Sequence, residues 1–207
     1  MTTPILSTAY LPSVLYMAML AQHGNVCIEQ HETFPKQTYR NRADIVTGNG
    51  LLTLVVPIVH TQGNHTQTSD IGISYQEPWN IRHWRAIVSA YSAAPYFLYY
   101  RDGLEAILMQ RYERLLALND AVLRYLIQKL KLPCQVSYSE TFSTAANNLG
   151  IILTNKHIRN HSSLPPYSQV FEERHGFIPN VTVLDLLFNL GPEAKNYLIA
   201  LDIQSYI

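Results

Sequence analysis

The amino-acid sequence predicts an α/β protein: a mixed, partly parallel sheet from the N-terminal half, with a largely helical central and C-terminal region. Short β-type segments alternate with one apolar helix near the start of the chain, and the tight links between them favour a parallel βαβ unit. From Pro78 to about Leu132 the apolar residues recur instead at helical spacing. We therefore predict one domain over residues 1–207, with the sheet region in residues 1–75 and mainly helices in residues 76–207.

The βαβ unit comes first. Ile5–Tyr10 is predicted as a strand, and Ser13 or the proline before it is well placed to begin a helix. Val14–Gln22 is apolar and is predicted as that helix, ended by Gly24. Val26–Gln30 is then the second strand. In open parallel sheets, ligands bind beyond the carboxyl ends of the strands, so a site is expected where these two strands end.

A hairpin follows. Asp44–Thr47 and Leu51–Val59 are predicted strands, and Gly48-Asn49-Gly50 between them is a strong turn signal. The polar segment His60–Asp70 is predicted as a loop. Two interpretations of this loop stay open, an ordinary surface excursion and a lid over a site.

The central region is predicted as helices. Trp79, His83, Ile87 and Tyr91 recur every four residues and therefore share one helix face. Ala94-Pro95 is predicted to end this helix.

Asp102 is predicted to cap the next helix, and Asn119-Asp120 to interrupt it. Val136–Ser139 is a further strand candidate. Near the C-terminus, Val181–Leu190 is predicted as a helix with Asn180 as its cap and Gly191 as its end.

Composition excludes several classes of protein. The chain has 207 residues, zero formal net charge and only 14% charged residues, which argues against a general nucleic-acid binder. No apolar run approaches the length of a membrane span, and no positive charge precedes the apolar stretch near the N-terminus, because the first cation is Lys36. Cys27 and Cys134 are predicted as free thiols in a reducing compartment. We therefore expect a cytoplasmic protein.

The stretch Lys36–Arg42 is the densest polar cluster, with three cations, two amides and two hydroxyls in seven residues. Arginine offers paired donors to phosphate or carboxylate, and lysine adds a point charge. We predict that this stretch binds a small anionic substrate, and the alternative is a solvated loop with ordinary surface charges. The predicted substrate-binding residues are Tyr10, His31, Lys36, Gln37, Tyr39, Arg40, Asn41, Arg42, Tyr91 and Asn180.

His83 and Asp185 are the predicted catalytic residues, as general base and as a carboxylate that orients it. Each has an alternative. A histidine on an apolar helix face is often a buried, hydrogen-bonded core residue, and Asp185 could neutralise an arginine. Asn180 could be only a helix cap. The sequence has no phosphate-binding glycine loop, no hydrolase motif and no convergent metal-ligand pattern, so we predict no metal site, and the cofactor is unknown.

Several blocks of this sequence resemble the WbqC-like protein family of bacteria. These blocks are Tyr10-Leu11-Pro12 with Tyr16, Lys36–Arg42, Pro57-Ile58, the spaced set from Trp79 to Tyr96, Gly176-Phe177 with Pro179-Asn180, and Leu184–Asn189 with Gly191-Pro192. The resemblance implies a role in surface-polysaccharide or lipopolysaccharide biosynthesis, with transferase chemistry on a nucleotide sugar. It supplies no established catalytic residues. A nucleotidyltransferase-like enzyme and a non-catalytic accessory protein are the two alternatives.

Overall fold

The structure is a computed structural model that describes residues 3–60, 65–142 and 164–203. Within these residues the strands are β1 Ile5–Ser7, β2 Asn25–Glu29, β3 Arg42–Thr47, β4 Gly50–Val55, β5 Ile58–Val59, β6 Gly72–Ile73 and β7 Gln135–Tyr138. The helices are α1 Val14–Gln22, α2 Trp79–Tyr91, α3 Phe97–Met109, α4 Leu115–Lys129, α5 Glu172–His175, α6 Val183–Leu190 and α7 Ala194–Ala200. Short 3-10 turns occupy Thr68–Asp70 and Gly191–Glu193.

The predicted fold class is confirmed. A three-stranded parallel sheet has the order β1-β2-β7, so β2 is paired on both sides. Ile5 lies opposite Cys27, and Asn25 lies opposite Gln135. The third strand, β7, lies in the region that was predicted to be mainly helical, and it coincides closely with the strand candidate Val136–Ser139. All three carboxyl ends therefore lie along one edge of the sheet.

The helix α1 joins β1 to β2 and has the predicted bounds. Ser13 is its N-cap, because its Oγ accepts a hydrogen bond from the Tyr16 N–H at 3.4 Å. Eight of its nine residues are buried, so it is an interior helix and not an amphipathic surface one. The strand before it is shorter than predicted and ends at Ser7, which leaves residues 8–12 as an irregular, buried link.

The β3–β4 hairpin also forms, with Arg42 opposite Val55 and Thr47 opposite Gly50. The predicted second strand divides, because Pro57 has no backbone N–H to donate to the ladder. The residues after Pro57 form β5, which pairs with β6 instead. The predicted loop His60–Asp70 lies partly outside the described residues, and its last three residues form a 3-10 turn.

Two helix predictions are wrong. Asn119-Asp120 does not interrupt a helix, since α4 runs through it without a break. Buried Asn119 donates from Nδ2 to Thr8 Oγ1 at 3.1 Å and to the Arg40 carbonyl at 2.8 Å, so tertiary contacts occupy the amide that would otherwise disturb the helix. Asp102 is not a cap, because α3 begins five residues earlier at Phe97.

The cap predicted for α6 is also wrong. Thr182 is the N-cap, and its Oγ1 accepts from the Leu184 N–H at 3.4 Å. Asn180 serves a different helix, since its Oδ1 accepts from the Leu15 N–H at 2.9 Å in the first turn of α1. Beside Asn180, the Val14 N–H donates to the Val181 carbonyl at 3.1 Å, and this backbone hydrogen bond attaches the C-terminal segment to the start of α1. Gly191 ends α6 at a φ of 54°, as predicted.

Candidate functional site

A cleft of about 340 Å³ lies beyond the carboxyl ends of β2 and β7. Gln30 directly follows β2, and Tyr138 is the last residue of β7. The residues that line this carboxyl-edge cleft are Gln30, Ser69, Arg114, Leu116, Ala117, Asp120 and Tyr138. Its place in the fold is the one where parallel sheets bind ligands.

Hydrogen bonds hold the strand ends at the base of the carboxyl-edge cleft. Gln30 donates from its backbone N–H to Ser139 Oγ at 3.1 Å and from Nε2 to the Ser139 carbonyl at 2.8 Å. Ser139 Oγ in turn donates to Oε1 of the fully buried Glu29 at 2.9 Å. His31 contributes its backbone N–H to the same Oε1 at 2.7 Å, and its Nε2 lies 3.1 Å from the Ser139 carbonyl. These bonds fix the ends of β2 and β7 relative to each other.

The N-terminus of α4 faces the carboxyl-edge cleft. Arg114 occupies the N-cap position, and no side chain caps the helix there. Leu116 and Ala117, both cleft residues, are in the first turn, where backbone N–H groups have no acceptor within a helix. The Arg114 guanidinium donates from Nη1 to the Asp70 carbonyl at 2.5 Å. A full positive charge and the positive end of a helix dipole therefore meet at one side of the cleft.

A carboxylate lies on the same cleft. Asp120 accepts hydrogen bonds from the Tyr138 hydroxyl and from Arg124 Nε, the latter at 2.8 Å. Burial raises the pKa of Tyr138, and the hydrogen bond to Asp120 and its negative charge raise it further. Tyr138 therefore keeps its proton at neutral pH and remains a donor to the carboxylate.

Arg40 lies at the same edge of the sheet but is buried, with only 4% of the residue exposed. Its Nε and Nη2 donate to the two carboxylate oxygens of Glu32 at 2.8 and 2.7 Å, and Nη2 also donates to Ser7 Oγ at 2.5 Å. This bidentate ion pair with Glu32, together with the hydrogen bond to Ser7, joins the end of β1 to the segment after β2. The guanidinium thus serves an internal carboxylate in this structure.

The other residues of Lys36–Arg42 point in different directions. Lys36 and Gln37 are exposed, and Gln37 turns the chain at a φ of 58°. The Tyr39 hydroxyl donates to Asp44 at 2.6 Å, and Asn41 Nδ2 donates to the Val56 carbonyl at 2.9 Å. Arg42 is half-buried at the start of β3. The stretch therefore does not form one continuous polar surface.

His83 and Tyr10 meet in the core. The Tyr10 hydroxyl lies 2.9 Å from His83 Nδ1, and both residues are buried beside Trp79. Burial lowers the pKa of His83 to about 4, and the nearby Arg82 charge adds to this effect. A neutral imidazole bonded to a tyrosine in the core matches the core alternative given above. His83 as a general base stays a prediction, and neither residue lines the carboxyl-edge cleft.

Asp185 belongs to a second buried polar cluster, with Tyr91, Tyr167 and Gln169. Gln169 Nε2 donates to Asp185 Oδ1 at 3.0 Å. Oδ2 and the Tyr167 hydroxyl have no partner at hydrogen-bond geometry among the described residues, although both tyrosines are close enough to influence the carboxyl. Burial raises the pKa of Asp185 to about 6, and hydrogen-bond donors around it limit that rise. No arginine pairs with Asp185 within the described ranges.

None of the predicted site residues lines the carboxyl-edge cleft, although His31 is the neighbour of Gln30. The site was expected where strand two ends, and Gln30, which directly follows β2, lines the cleft. Arg114 gave no signal in the sequence. It directly precedes α4, but the break between the two helices was predicted at Asn119-Asp120, so Arg114 was placed inside a helix. Asp120 was taken as a helix breaker instead of a site carboxylate.

A second cleft, of about 530 Å³, lies at the amino end of β7, between Gln135 and the end of α4. Its only charged residue is Arg124, which already pairs with Asp120. In the described parts of the chain, no group of three or more His, Cys, Asp or Glu side chains could hold a metal ion. No helix there is long and apolar enough to cross a membrane.

Comparison with known proteins agrees with the resemblance found in the sequence. The sequence model of the WbqC-like protein family matches residues 8–158, which is most of the chain. The chain belongs to the WbqC-like protein family. It is also 27% identical over 222 aligned residues to the uncharacterized protein Rv1507c of Mycobacterium tuberculosis, with 94% of this chain and 96% of that protein covered. No solved structure matches the chain significantly.

The matched range contains all the residues that line the carboxyl-edge cleft. It includes Gln30, the start of α4 and the end of β7, so the cleft lies within the family's own region. Of the buried Asp185 cluster, Tyr91 lies inside this match, whereas Tyr167, Gln169 and Asp185 lie beyond residue 158 and so outside it.

Proposed function

We propose that this WbqC-like protein is a cytoplasmic transferase in bacterial surface-polysaccharide biosynthesis, and that it binds an anionic substrate such as a nucleotide sugar in the carboxyl-edge cleft. The observation that carries the proposal is the position of this cleft. It lies beyond the carboxyl ends of two parallel strands, with Arg114 and the uncapped N-terminus of α4 on one side. The family resemblance supports the substrate class.

Arg114 and the first turn of α4 are the proposed phosphate-binding groups. Arginine gives charge-assisted hydrogen bonds to phosphate, and the first-turn N–H groups of Leu116 and Ala117 add backbone donors. A hydrogen bond to a charged group contributes about 1.5–3 kcal/mol. The positive charge would also stabilise a nucleotide leaving group as the bond between sugar and phosphate breaks.

Asp120 is the proposed general base on the same cleft. In a glycosyl transfer, the acceptor hydroxyl forms a new bond to the sugar carbon and loses its proton, and the nucleoside diphosphate leaves with the electron pair of the broken bond. Asp120 would receive that proton. Tyr138 and Arg124 hold the Asp120 carboxylate in place through the hydrogen bonds described above. Gln30 offers an amide side chain for polar groups of the substrate.

Phosphate binding by Lys36, Arg40 and Arg42 stays a prediction, and the proposal differs from it for a physical reason. A guanidinium that is buried and already bonded to Glu32 and Ser7 would have to give up those partners to bind a ligand. We therefore assign Arg40 the role of holding the edge of the sheet.

The test compares two arginine variants. Thermal unfolding is measured with nucleotide sugars, free nucleotides and inorganic phosphate for the wild type, Arg114→Gln and Arg85→Gln. Arg85 is an exposed cation on α2 outside the cleft, and it serves as the matched control. A ligand at about a hundred times its Kd adds about 2.7 kcal/mol, which raises the Tm of a chain of this size by about 5–10 °C.

We expect one nucleotide class to raise the Tm of the wild type and of Arg85→Gln. In Arg114→Gln the affinity should fall about 10- to 100-fold, because one charge-assisted interaction is lost. Equal shifts in all three proteins would contradict the assignment of the cleft. Product analysis then separates the enzyme classes, because release of pyrophosphate from a nucleoside triphosphate would indicate the nucleotidyltransferase-like alternative.

One observation favours a second candidate, a non-catalytic accessory protein. In Lys36–Arg42, the most strongly cationic stretch of the sequence, the Arg40 guanidinium is already paired with the internal Glu32 carboxylate. Nucleotide-sugar binding without any turnover across a panel of acceptor glycans, together with capture of a glycan-assembly enzyme, would favour this candidate over the transferase.

A further inference from the structure

One stripe of α4 lines both of the clefts described above. Leu116 and Asp120 line the carboxyl-edge cleft, and Arg124 and Gln128 line the cleft of about 530 Å³ at the amino end of β7, the amino-end cleft. These four residues recur every four positions, so they share one face of the helix. Twelve residues separate the first from the last, which is about 18 Å along the helix axis. The two clefts therefore follow each other along α4.

The strand β7 lines both clefts in the same order. Tyr138 lines the carboxyl-edge cleft and Val136 lines the amino-end cleft, and alternate residues of a strand project to the same side of the sheet. Between the clefts, Arg124 Nε donates to Asp120 Oδ2 at 2.8 Å. The Arg124 side chain is 59% exposed, so this divider is not packed into the core. The clefts are thus consecutive halves of one groove between α4 and β7.

The amino-end cleft has the chemistry of a site for a neutral, hydroxyl-rich ligand. Ile127 and Val136 supply apolar surface, and the side-chain amides of Gln128 and Gln135 supply hydrogen-bond donors and acceptors. Both glutamines are exposed, and neither amide has a partner among the described residues. The only charged lining residue, Arg124, is already paired. An anion would find no free cation here, whereas a sugar ring offers C–H groups to the apolar surface and hydroxyls to the amides.

We infer that the amino-end cleft binds a neutral saccharide, which is the acceptor of the proposed transferase. The acceptor role rests on the proposed function, whereas saccharide binding does not. Asp120 lies where the two clefts meet. Among the described residues its Oδ2 accepts only from Arg124, which leaves a lone pair for an acceptor hydroxyl. The acceptor oxygen bonds to the sugar carbon of the donor, its proton passes to Asp120, and the nucleoside diphosphate leaves with the electron pair of the broken bond.

The ligand class is tested by NMR titration of the ¹⁵N-labelled chain with maltose, lactose and N,N′-diacetylchitobiose, all neutral disaccharides. We expect saturable shifts with at least one of them at the Val136 amide and at the side-chain amides of Gln128 and Gln135. Gln128→Ala/Gln135→Ala should bind that saccharide about 5- to 100-fold more weakly, because two neutral hydrogen bonds are lost. The matched control Gln76→Ala/Gln110→Ala removes two exposed amides outside the groove and should bind as the wild type does. No saturable shift with any saccharide, or equal affinity in the two double variants, would overturn the inference.

The acceptor role is tested by repeating the saccharide titration with the protein saturated by the nucleotide that gives the largest thermal shift. We expect the nucleotide to shift the Leu116 and Ala117 amides, and the saccharide still to bind at Val136. Nucleotide shifts that extend to Val136, or competition between the two ligands, would overturn the acceptor role, because one ligand would then fill both halves of the groove. Saccharide binding at Val136 in a protein that binds no nucleotide would support the saccharide site and refute the proposed function, and with it the acceptor role.

Discussion

Replacement of Asp185 by asparagine tests how burial controls the charge of the interior cluster. Burial raises the pKa of this carboxyl to about 6, from an ordinary value of 3.8. The folded protein therefore binds the proton more tightly than the unfolded chain does. The resulting stabilisation is complete below about pH 3.8 and is lost as the pH rises through about 6. A difference of this size between the two pKa values corresponds to about 3 kcal/mol.

Asparagine resembles the protonated acid in shape and does not titrate. The free energy of unfolding of Asp185→Asn relative to the wild type should therefore increase as the pH rises. We expect an increase of about 1 kcal/mol between about pH 5 and pH 7.5, and up to about 3 kcal/mol over the full range. Urea unfolding followed by circular dichroism at several pH values measures this difference, and the other carboxylates cancel because both proteins contain them.

Asp102→Asn is the control for this experiment, because the Asp102 side chain is 89% exposed on α3. Its difference from the wild type should change little with pH, since solvent screens exposed charges. A relative stability of Asp185→Asn that does not change with pH would refute the argument. A decrease with rising pH would show that the polar groups of Tyr91, Tyr167 and Gln169 around Asp185 stabilise the ionised carboxylate more than burial destabilises it.

Two further predictions concern stability and are measured by the same unfolding assay. Arg40→Gln should lower the free energy of unfolding by about 3 kcal/mol, because it leaves the partly buried Glu32 carboxylate unpaired, whereas Arg82→Gln at the exposed pair with Glu77 should cost at most about 1 kcal/mol. Similar small losses in both variants would contradict a structural role for Arg40. Gly191→Ala should cost about 2 kcal/mol or more, since its φ is 54° and a Cβ atom would lie 2.5 Å from the Tyr96 ring. A Gly191→Ala variant as stable as the wild type would contradict this packing.

Local signals in the sequence were sufficient for α1. A capping serine at its start, a glycine after its end and an uninterrupted apolar run between them predicted bounds that the structure reproduces. The break between α3 and α4 could not be predicted in the same way. Asn119 looks like a helix breaker, but its amide is bonded to Thr8 and to the Arg40 carbonyl, which are far away in sequence.

The same limit applies to the site. The rule for parallel sheets predicts a site at the end of strand two, where Gln30 lines the carboxyl-edge cleft. The sequence could not show that Arg40 turns inward to Glu32, because a cation has the same local pattern whether it faces a ligand or an internal carboxylate. Arg114 and Asp120 reach the cleft only through the tertiary position of α4.

The central claim is that an anionic ligand binds in the carboxyl-edge cleft. The most direct measurement is an NMR titration of the ¹⁵N-labelled protein with the nucleotide that gives the largest thermal shift. We predict the largest amide shifts at Leu116 and Ala117, in the first turn of α4, with smaller changes at Gln30. Shifts confined to the Lys36–Arg42 stretch, or spread over the surface without saturation, would contradict this account.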